Sequence, residues 1–379
     1  MTVALVTDGI WPYVLGGMQK HSYFLCKYLL KNGVRVVLIH TADVITDEVR
    51  NASCFSGEER ELLTSVVIEK PVVARFPGHY IYQSWLYSRE VDKKLQGLGP
   101  IDFIIAKGLA AWYTLRHKTR ECPPIGVNIH GYEFMQRTTG IKMWFDTLLL
   151  GFPLRAVNRR ADYVFSYGGK ITGYIKKLGI PQERIIEIPA AIEEEWMNDA
   201  NRDVSPRRRF VFVGRYERRK GIEELSSVLK TLLEKEDFTF SFVGPIPVQE
   251  QIQHPNVSYH GVVSDKAKIQ EILGKSDVLV CPSYAEGMPN VIIEGMANGC
   301  AAIATDVGAV SLLVNDQNGW LIEPGNTDAL YQAMKGAIDS SSEEMTKKKI
   351  AAYRHIRENF LWTRVAGIVV DAIKKRVKN

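Results

Sequence analysis

The chain has 379 residues, of which 46% are hydrophobic and 24% are charged, and its formal net charge is +5. This composition excludes a collagen-like, low-complexity or disordered chain, and the length suits two domains better than one core. The modest charge, without a recognition motif, argues against nucleic acid as a partner.

Predicted strands and helices alternate through the first half of the chain. The Val- and Ile-rich runs that read as strands are 3–7, 34–40, 101–106, 125–130, 163–166 and 185–188. A helical pattern covers 18–31. Such alternation predicts a parallel, doubly wound sheet. The segment 51–95 shows no clean alternation, and we interpret it as an insertion near an acceptor site.

A polar, turn-rich segment at 198–206 indicates a domain boundary, after which the alternation begins again. The second set of predicted elements comprises strands 210–213, 239–243, 257–261, 278–281 and 301–305, and helices 221–234, 266–274 and one after Pro289. We therefore expect an α/β protein with two domains, 1–197 and 198–359. An amphipathic helix over 360–379 ends the chain.

Cysteine usage and the N-terminal residues bear on location. The five cysteines are scattered and form no Cys-x-x-Cys pair, which favours a reducing compartment over a disulfide framework or a zinc site. The chain opens directly on a strand pattern, without the features of a secretory signal peptide. We expect a cytoplasmic protein.

Two carboxylates eight positions apart, Glu286 and Glu294, are the most informative feature. The turn residues Gly287, Met288, Pro289 and Asn290 follow the first, and an apolar helical run carries the second. Because proline is tolerated in the first turn of a helix, a helix can begin at Pro289. Both carboxylates would then reach the same ligand.

A second motif, Gly214-Arg215 followed by Lys220, comes directly after the predicted strand 210–213. Arginine offers phosphate a planar fork and lysine a point charge, so the motif suits a diphosphate. We interpret the neighbouring Arg218 and Arg219 as solvated charges outside the site.

The loop Gly16-Gly17 lies between a strand and a helix, where free amides bind anions. It is not a Gly-x-Gly-x-x-Gly fingerprint, which argues against a dehydrogenase. His130 ends a predicted strand, at the edge of the sheet where ligands of such sheets bind.

The segment 137–177 holds eight Lys or Arg against two Asp, interleaved with aromatic residues and leucines. One interpretation is a buried helix with a solvated basic face. The other is a surface that meets anionic lipid or a lipid-linked acceptor. The apolar stretch 143–154 is too short to span a bilayer.

Together these motifs resemble the retaining glycosyltransferases of family 4, also called glycosyl transferases group 1. The resemblance covers nearly the whole chain and is strongest over 1–40 and 210–330. It implies the GT-B fold, in which two Rossmann-like domains face a cleft and the last helix packs back on the first domain. After Thr305 the family usually has an acidic residue where Ser311 and two leucines stand here, so part of the sugar pocket differs.

The resemblance also implies roles for individual residues. It makes Glu286, His130, Arg215 and Lys220 catalytic. The donor-binding residues that it implies are Gly16, Gly17, Gly214, Arg215, Lys220, Val263, Glu286, Gly287, Met288, Pro289, Asn290 and Glu294.

The expected reaction is transfer of a sugar, with retention of configuration, from a UDP- or GDP-sugar to a saccharide or lipid-linked saccharide. Cell-surface polysaccharide or lipopolysaccharide synthesis is the expected pathway, at the inner face of the cytoplasmic membrane if 137–177 meets lipid. No Asp-x-Asp motif is evident, so we expect no metal and no cofactor. An epimerase, a phosphorylase or a catalytically silent nucleotide- or membrane-binding module are the alternatives.

Overall fold

The computed structural model describes residues 1–136, 141–199 and 203–377, without the side chains of 141–147. Backbone proximity divides the chain into two compact units. The first comprises Met1–Phe134, Ile141–Pro189 and Trp362–Asn379. The second comprises Met135–Gly140 and Ala190–Leu361.

The described part of the first unit holds one parallel sheet. Its strands are β1 (Thr2–Val6), β2 (Arg35–His40), β3 (Leu63–Val67), β4 (Phe103–Lys107), β5 (Ile125–Asn128), β6 (Tyr163–Ser166) and β7 (Ile185–Glu187). They lie in the order β3-β2-β1-β4-β5-β6-β7. The strand order reverses between β1 and β4, and ligands of doubly wound sheets bind at such a reversal.

Helices connect these strands, as parallel pairing requires. They are α1 (Gly17–Lys31), α2 (Asp47–Arg50), α3 (Gly57–Glu61), α4 (His79–Gln96), α5 (Trp112–Arg116), α6 (Ile141–Arg160) and α7 (Gly169–Lys177). The central strands are buried on both faces, and all five residues of β4 are buried. This explains why the central strands are continuous apolar runs.

The second unit repeats the plan with a parallel sheet in its described residues. Its strands are β8 (Arg209–Val213), β9 (Thr239–Val243), β10 (Val257–Tyr259), β11 (Val278–Cys281), β12 (Ala301–Thr305) and β13 (Gly319–Ile322). They lie in the order β10-β9-β8-β11-β12-β13. The strand order reverses between β8 and β11.

The helices of the second unit cover this sheet. They are α8 (Ile222–Leu233), α9 (Lys266–Gly274), α10 (Asn290–Ala297), α11 (Thr327–Asp339) and α12 (Ser342–Asn359). One apolar core joins the phenylalanines of β8 and β9 to the buried faces of α8 and α11. Close packing of this kind fixes where the loops at the ends of the strands begin.

The last helix, α13 (Trp362–Val377), belongs to the first unit and packs on α1. The indole ring of Trp362 stacks on the ring of Tyr28, with 5.8 Å between the ring centroids. The two units part at Pro189 and Ala190, eight residues before the boundary expected from the sequence. Ala190 lies with the second unit because its N–H donates to the sulfur of Met288 at 3.1 Å.

The two doubly wound sheets predicted from the sequence are confirmed. The interpretation of 51–95 as an insertion is wrong, because this segment supplies the edge strand β3 and most of α4. An edge strand need not alternate strictly, and the polar Thr64 and Ser65 hide the pattern of β3. The sequence analysis also does not identify β13, α11 and α12, although the side chains of Asn326 and Ser341 cap the two helices.

Candidate active site

The two loops that meet at the strand reversal of the second unit carry the main predicted motifs. One loop follows β8 and holds Gly214, Arg215 and Lys220. The other follows β11 and leads through Glu286 into α10. Because β8 and β11 pair in parallel, the two loops leave the same edge of the sheet side by side.

An ion pair joins these loops. Lys220 Nζ donates to Glu286 Oε1 at 2.6 Å, and both side chains are largely buried. Sixty-six residues separate the two in sequence. A lysine and a carboxylate brought together at this edge can exchange partners with a ligand that carries negative charge and hydroxyl groups.

Two glycines allow the loops to approach this closely. Gly221 has a φ of 67°, and a Cβ atom there would lie 2.0 Å from the carbonyl oxygen of Pro282. Gly308, in the loop after β12, has a φ of 54°, and its Cβ would lie 2.2 Å from the carbonyl oxygen of Glu286. Both positions therefore require glycine, which adopts this conformation without a steric cost.

Arg215 lies apart from the ion pair. Its Nε is 3.1 Å from Glu217 Oε1, and the side chain is 70% exposed. The preceding Gly214 donates its N–H to the carbonyl oxygen of Val243 at 2.9 Å, which ties the loop to β9. Of the two predicted phosphate-binding cations, the structure brings Lys220, but not Arg215, to Glu286.

The interpretation of Arg218 and Arg219 as solvated charges is wrong. Arg218 donates to both carboxylate oxygens of Glu224 at 2.7 and 2.5 Å. Its guanidinium also lies over the ring of Tyr284, 4.8 Å from the ring centroid. Arg219 donates to the carbonyl oxygen of Ala285 at 3.2 Å. Both arginines thus brace the two loops against each other.

Arg219 also adds positive charge beside the ion pair. Its Nη1 lies 3.8 Å from Glu286 Oε2, and the side chain is 23% exposed. The loop after β8 therefore presents two cations to Glu286, one through a short contact and one through a longer one. The sequence motif gave no means of telling Arg219 from a surface charge.

The turn after Glu286 leads into α10 as predicted, with the helix beginning at Asn290 and Pro289 preceding it. No side chain among the described residues caps this N-terminus, and of its first-turn amides that of Ile292 donates to the carbonyl oxygen of Pro289 at 3.1 Å. Gly287 accepts from the N–H of Ala309 at 2.8 Å, which anchors the turn. The side chain of Met288 is buried, and its sulfur accepts from the N–H of Ala190.

Glu294 lies on α10 and is partly buried. Its carbonyl oxygen accepts from the side-chain amide of Asn298 at 2.8 Å. Val263 lies in the loop after β10, where the N–H of Gly244 donates to the carbonyl oxygen of Gly261 at 2.7 Å. Val263 thus follows the carboxyl end of β10, and Glu294 lies in the helix that follows β11.

Gln136, which lies with the second unit, is a residue that sequence reasoning missed. Its Nε2 donates to the carbonyl oxygen of Glu286 at 2.7 Å, and its Oε1 accepts from the N–H of Glu286 at 3.2 Å. One side-chain amide thus holds both polar groups of the Glu286 backbone. No sequence signal pointed to it, because 150 residues separate the two.

In the first unit, Gly16 and Gly17 are exposed at the start of α1. No side chain caps this N-terminus in the described residues. A Cβ atom at Gly17 would meet nothing within 4 Å, so open space faces the helix end. This arrangement fits the predicted contact between the loop and an anionic group.

His130 follows β5 and belongs to a buried group of polar side chains. The hydroxyl of Tyr167 forms a hydrogen bond with His130 Nδ1. The ring of His21, from α1, meets the His130 ring edge to face at 5.1 Å between centroids. Lys107, the last residue of β4, places its Nζ 3.0 Å from His21 Nδ1 and donates to Asn128 Oδ1 at 3.4 Å.

Burial changes the protonation of this group. Loss of solvation lowers the pKa of Lys107 to about 7. Desolvation first, and the nearby Lys107 second, lower the pKa of His21 and of His130 well below its usual range. Both imidazoles are therefore neutral at pH 7. The sequence did not single out His21 or Lys107, and the predicted strand 101–106 ended one residue before the lysine.

The basic segment 137–177 is described only in part, since Arg137 and the side chain of Lys142 lie outside the described residues. On α6, Leu148, Leu149 and Phe152 are exposed, Phe152 to 76%. Arg155 lies over the ring of Phe134 at 5.7 Å. A purely buried helix is therefore excluded for the described part of α6.

Within 1–136, 141–199 and 203–377, no three His, Cys, Asp or Glu side chains form a cluster that could hold a metal ion. In the same ranges, no helix combines the length and the apolar character needed to cross a bilayer.

The models of two known families match consecutive parts of the chain. The model of Glycosyltransferase Family 4 matches residues 15–196, and that of Glycosyl transferases group 1 matches residues 207–340. The chain belongs to the family 4, group 1 glycosyltransferases. The resemblance inferred from the motifs is confirmed.

Two curated relatives show the range of similarity. A putative teichuronic acid biosynthesis glycosyltransferase, TuaC of Bacillus subtilis, is 37% identical over 124 residues, which are 33% of this chain and 31% of that protein. The uncharacterized glycosyltransferase MJ1607 of Methanocaldococcus jannaschii is 23% identical over 99% of this chain and 98% of its own length. The stronger similarity thus covers less than a third of the relative.

Solved structures confirm the fold class. A sucrose-phosphate synthase from Thermosynechococcus elongatus is 17% identical and covers 99% of this chain and 98% of its own, with a TM-score of 0.76. Anabaena HepE in complex with UDP and glucose is 14% identical over 99% of this chain and all of its own, with a TM-score of 0.67. The glycosyltransferase has the GT-B fold.

Proposed function

We propose that this glycosyltransferase moves a sugar, with retention of configuration, from a nucleoside-diphosphate sugar to a saccharide or lipid-linked saccharide. The observation that carries the proposal is the Lys220–Glu286 pair at the strand reversal of the second unit. The complex of HepE with UDP and glucose supports a nucleotide-sugar donor. The name of TuaC supports a place in cell-surface polysaccharide synthesis.

Each loop has a distinct part in the proposed reaction. Lys220 and Arg215 balance the charge that develops on the leaving diphosphate, which lowers the barrier because that charge is greatest in the transition state. Glu286 accepts hydrogen bonds from the hydroxyl groups of the sugar. Glu294 accepts hydrogen bonds from the ribose, and the backbone near Val263 holds the base.

The proposed step requires only the donor and the acceptor. The bond between the anomeric carbon and the diphosphate oxygen breaks, and the pair of electrons leaves with the diphosphate. The acceptor hydroxyl oxygen bonds to that carbon on the same face of the sugar. The departing diphosphate takes up the hydroxyl proton, so no protein base and no metal is required.

The test is a transfer assay in EDTA with UDP- and GDP-sugars and a panel of saccharide acceptors. We expect a glycoside whose anomeric configuration, read by NMR coupling constants, matches that of the donor. An inverted product contradicts retention, and activity that EDTA abolishes contradicts metal independence. Donor turnover without acceptor favours an epimerase, and dependence on inorganic phosphate and a glucan favours a phosphorylase.

A lipid-linked acceptor suits the exposed apolar residues of α6. Leu148, Leu149 and Phe152 present apolar surface on a helix that ends in Arg159 and Arg160. Apolar side chains beside cations are the combination that binds anionic membrane surfaces. We propose that this surface of α6 contacts the membrane that carries the acceptor.

A further inference from the structure

The group around His21 contains hydrogen-bonding atoms that the protein leaves unused. His21 Nε2 and His130 Nε2 are both buried, and neither has a hydrogen-bond partner within the described residues. Unpaired buried polar groups are costly, and native proteins retain them mainly where a ligand or water completes the bonding. Two such groups on adjacent rings call for one explanation.

The partners of the other ring nitrogens determine where the protons lie. Lys107 Nζ lies 3.0 Å from His21 Nδ1, and while the amine carries its proton it can only donate there, which leaves the proton of neutral His21 on Nε2. Burial raises the pKa of Tyr167, which keeps its hydroxyl proton available to donate to His130 Nδ1. With Lys107 protonated and Tyr167 donating, both rings present an Nε2–H.

The position in the fold is that of a ligand site. Lys107 ends β4, and α1 follows β1, so the group sits at the strand reversal of the first sheet. His21 lies one helical turn after Gly17, on the same face of α1 as the exposed N-terminus. Nothing in the sequence motifs had assigned His21 or Lys107 to this site.

We propose that His21 is a second sugar-binding residue beside His130, and that Lys107 and Tyr167 are positioning residues that fix both imidazoles with Nε2–H directed at the ligand. The ligand atoms are hydroxyl oxygens of a substrate sugar. Neutral N–H donors suit uncharged oxygens, and the Lys107 amine is already engaged by His21 and Asn128. The inference rests on the proposed function for the identity of the substrate.

The tautomers are tested by NMR on the full chain with ¹⁵N-labelled histidine at pH 6, where the Lys107 amine keeps its proton. Long-range ¹H–¹⁵N correlations should show protonated Nε2 and unprotonated Nδ1 for His21 and His130. Lys107→Met should disturb the pattern of His21, and Tyr167→Phe that of His130. Protonated Nδ1 in either ring of the wild-type protein overturns the proposal.

The ligand is tested by adding UDP-glucose and GDP-mannose, with UDP, GDP and inorganic phosphate as sugar-free probes. The sugar nucleotide that binds should shift the Nε2 resonances of both rings, and its sugar-free nucleotide and phosphate should not. A shift of His21 with phosphate, or no shift with a bound sugar nucleotide, overturns the proposal.

Kinetics separate binding from packing. The ring centroids of His21 and Trp362 lie 5.3 Å apart. His21→Phe keeps a ring against Trp362 but removes the N–H donor. We expect kcat/KM for the donor to fall at least tenfold, with the Kd of the nucleoside diphosphate unchanged. His21→Gln restores a donor and should recover part of the loss. Wild-type kinetics in a folded His21→Phe overturn the role of His21.

The outcomes also separate this inference from the proposed function. If the wild-type protein binds no sugar nucleotide, the proposed function fails, and sugar binding by His21 fails with it. If the wild-type protein binds and transfers sugar while His21→Phe does the same, only the inference fails. Circular dichroism and the melting temperature establish that each variant is folded.

Discussion

At the scale of single residues, the close approach of backbone to backbone near Glu286 controls the geometry of the loop after β11. Gly308 →Ala places a Cβ atom 2.2 Å from the carbonyl oxygen of Glu286 and 2.4 Å from that of Gly287. We expect a stability loss of at least about 1–2 kcal/mol from the left-handed conformation alone. Transfer activity should fall as well, because the turn after Glu286 must move.

The control for this prediction lies in the same unit. Gly336 is exposed on α11, and a Cβ there would make only an ordinary contact at 3.9 Å. Gly336→Ala should therefore stabilise the protein by about 0.5–1 kcal/mol, the helix preference of alanine over glycine. Urea unfolding and the transfer assay measure both variants. Equal effects of the two substitutions would contradict the account.

Lys107 predicts a dependence of stability on pH. Its pKa is about 7 in the folded protein and near the ordinary 10.5 in the unfolded chain. Between these values the unfolded chain binds a proton that the folded protein does not, so the free energy of unfolding rises with pH in this window. Lys107→Met should remove that rise.

Urea unfolding at pH 7, 8 and 9 measures the effect as the difference between variant and wild type. Lys230 is exposed on α8, and Lys230→Met is the matched control, expected to keep the wild-type slope. The same slope in Lys107→Met and wild type would show that the buried amine keeps its proton in the folded protein.

Sequence reasoning could predict the motifs at this scale but not their contacts. Glycine, proline and charged residues directly after a strand are visible in one stretch of sequence, as at Gly214 and Glu286. The pairing of Lys220 with Glu286, or of Gln136 with the Glu286 backbone, depends on tertiary neighbours far apart in the chain. Lys107 was missed because a lysine rarely ends a fully buried strand.

At the scale of elements, a buried charge network fastens α12 to the second sheet. Asp277 precedes β11 and accepts from Arg209 of β8 at 3.0 Å and from Lys349 of α12 at 3.1 Å. Asp277 and Lys349 are wholly inaccessible to solvent. Removing one partner of a buried pair leaves the other charge without compensation.

We therefore expect Asp277→Asn to lower the free energy of unfolding by about 3–5 kcal/mol. The control is Glu271→Gln on α9, where the carboxylate pairs with Lys268 and Lys275 at the surface. Exposed pairs contribute little, so the control should unfold like wild type. Urea unfolding decides, and a wild-type midpoint for Asp277→Asn would show that the network is not stabilising.

The helix α6 carries the prediction about membranes. Phe152→Ser should weaken binding to liposomes that contain anionic phosphatidylglycerol, because it removes the most exposed apolar side chain of this surface. Val248, in the second unit, is also 76% exposed, and Val248→Ser is the control. Co-sedimentation measures the bound fraction. Weak binding that does not depend on the content of anionic lipid would contradict the proposed membrane contact.

Elements with a strong local pattern were predicted to within a few residues, as α1 and β11 illustrate. Those without one were not. The edge strand β3 mixes polar and apolar residues, and β13 is only four residues long. Such elements are specified by the neighbouring strand that they pair with, which no single stretch of sequence displays.

At the scale of the whole molecule, the sequence was sufficient for the architecture. Two successive rounds of strand–helix alternation, separated by a polar segment, predicted two doubly wound sheets, and family comparison confirmed the GT-B fold. The motifs do not identify the donor base, the sugar or the acceptor, because these depend on the shape of the pocket. The proposed reaction is therefore tested first at the proposed donor site.

The most direct test is isothermal titration calorimetry of UDP and GDP, without metal, on wild type, Lys220→Ala and Lys230→Ala. We predict that wild type and Lys230→Ala bind one of the two nucleotides equally well. Lys220→Ala should bind it at least tenfold more weakly, because the cation that we propose to face the diphosphate is lost. Binding of neither nucleotide by folded wild-type protein, or unchanged affinity in Lys220→Ala, would contradict the account.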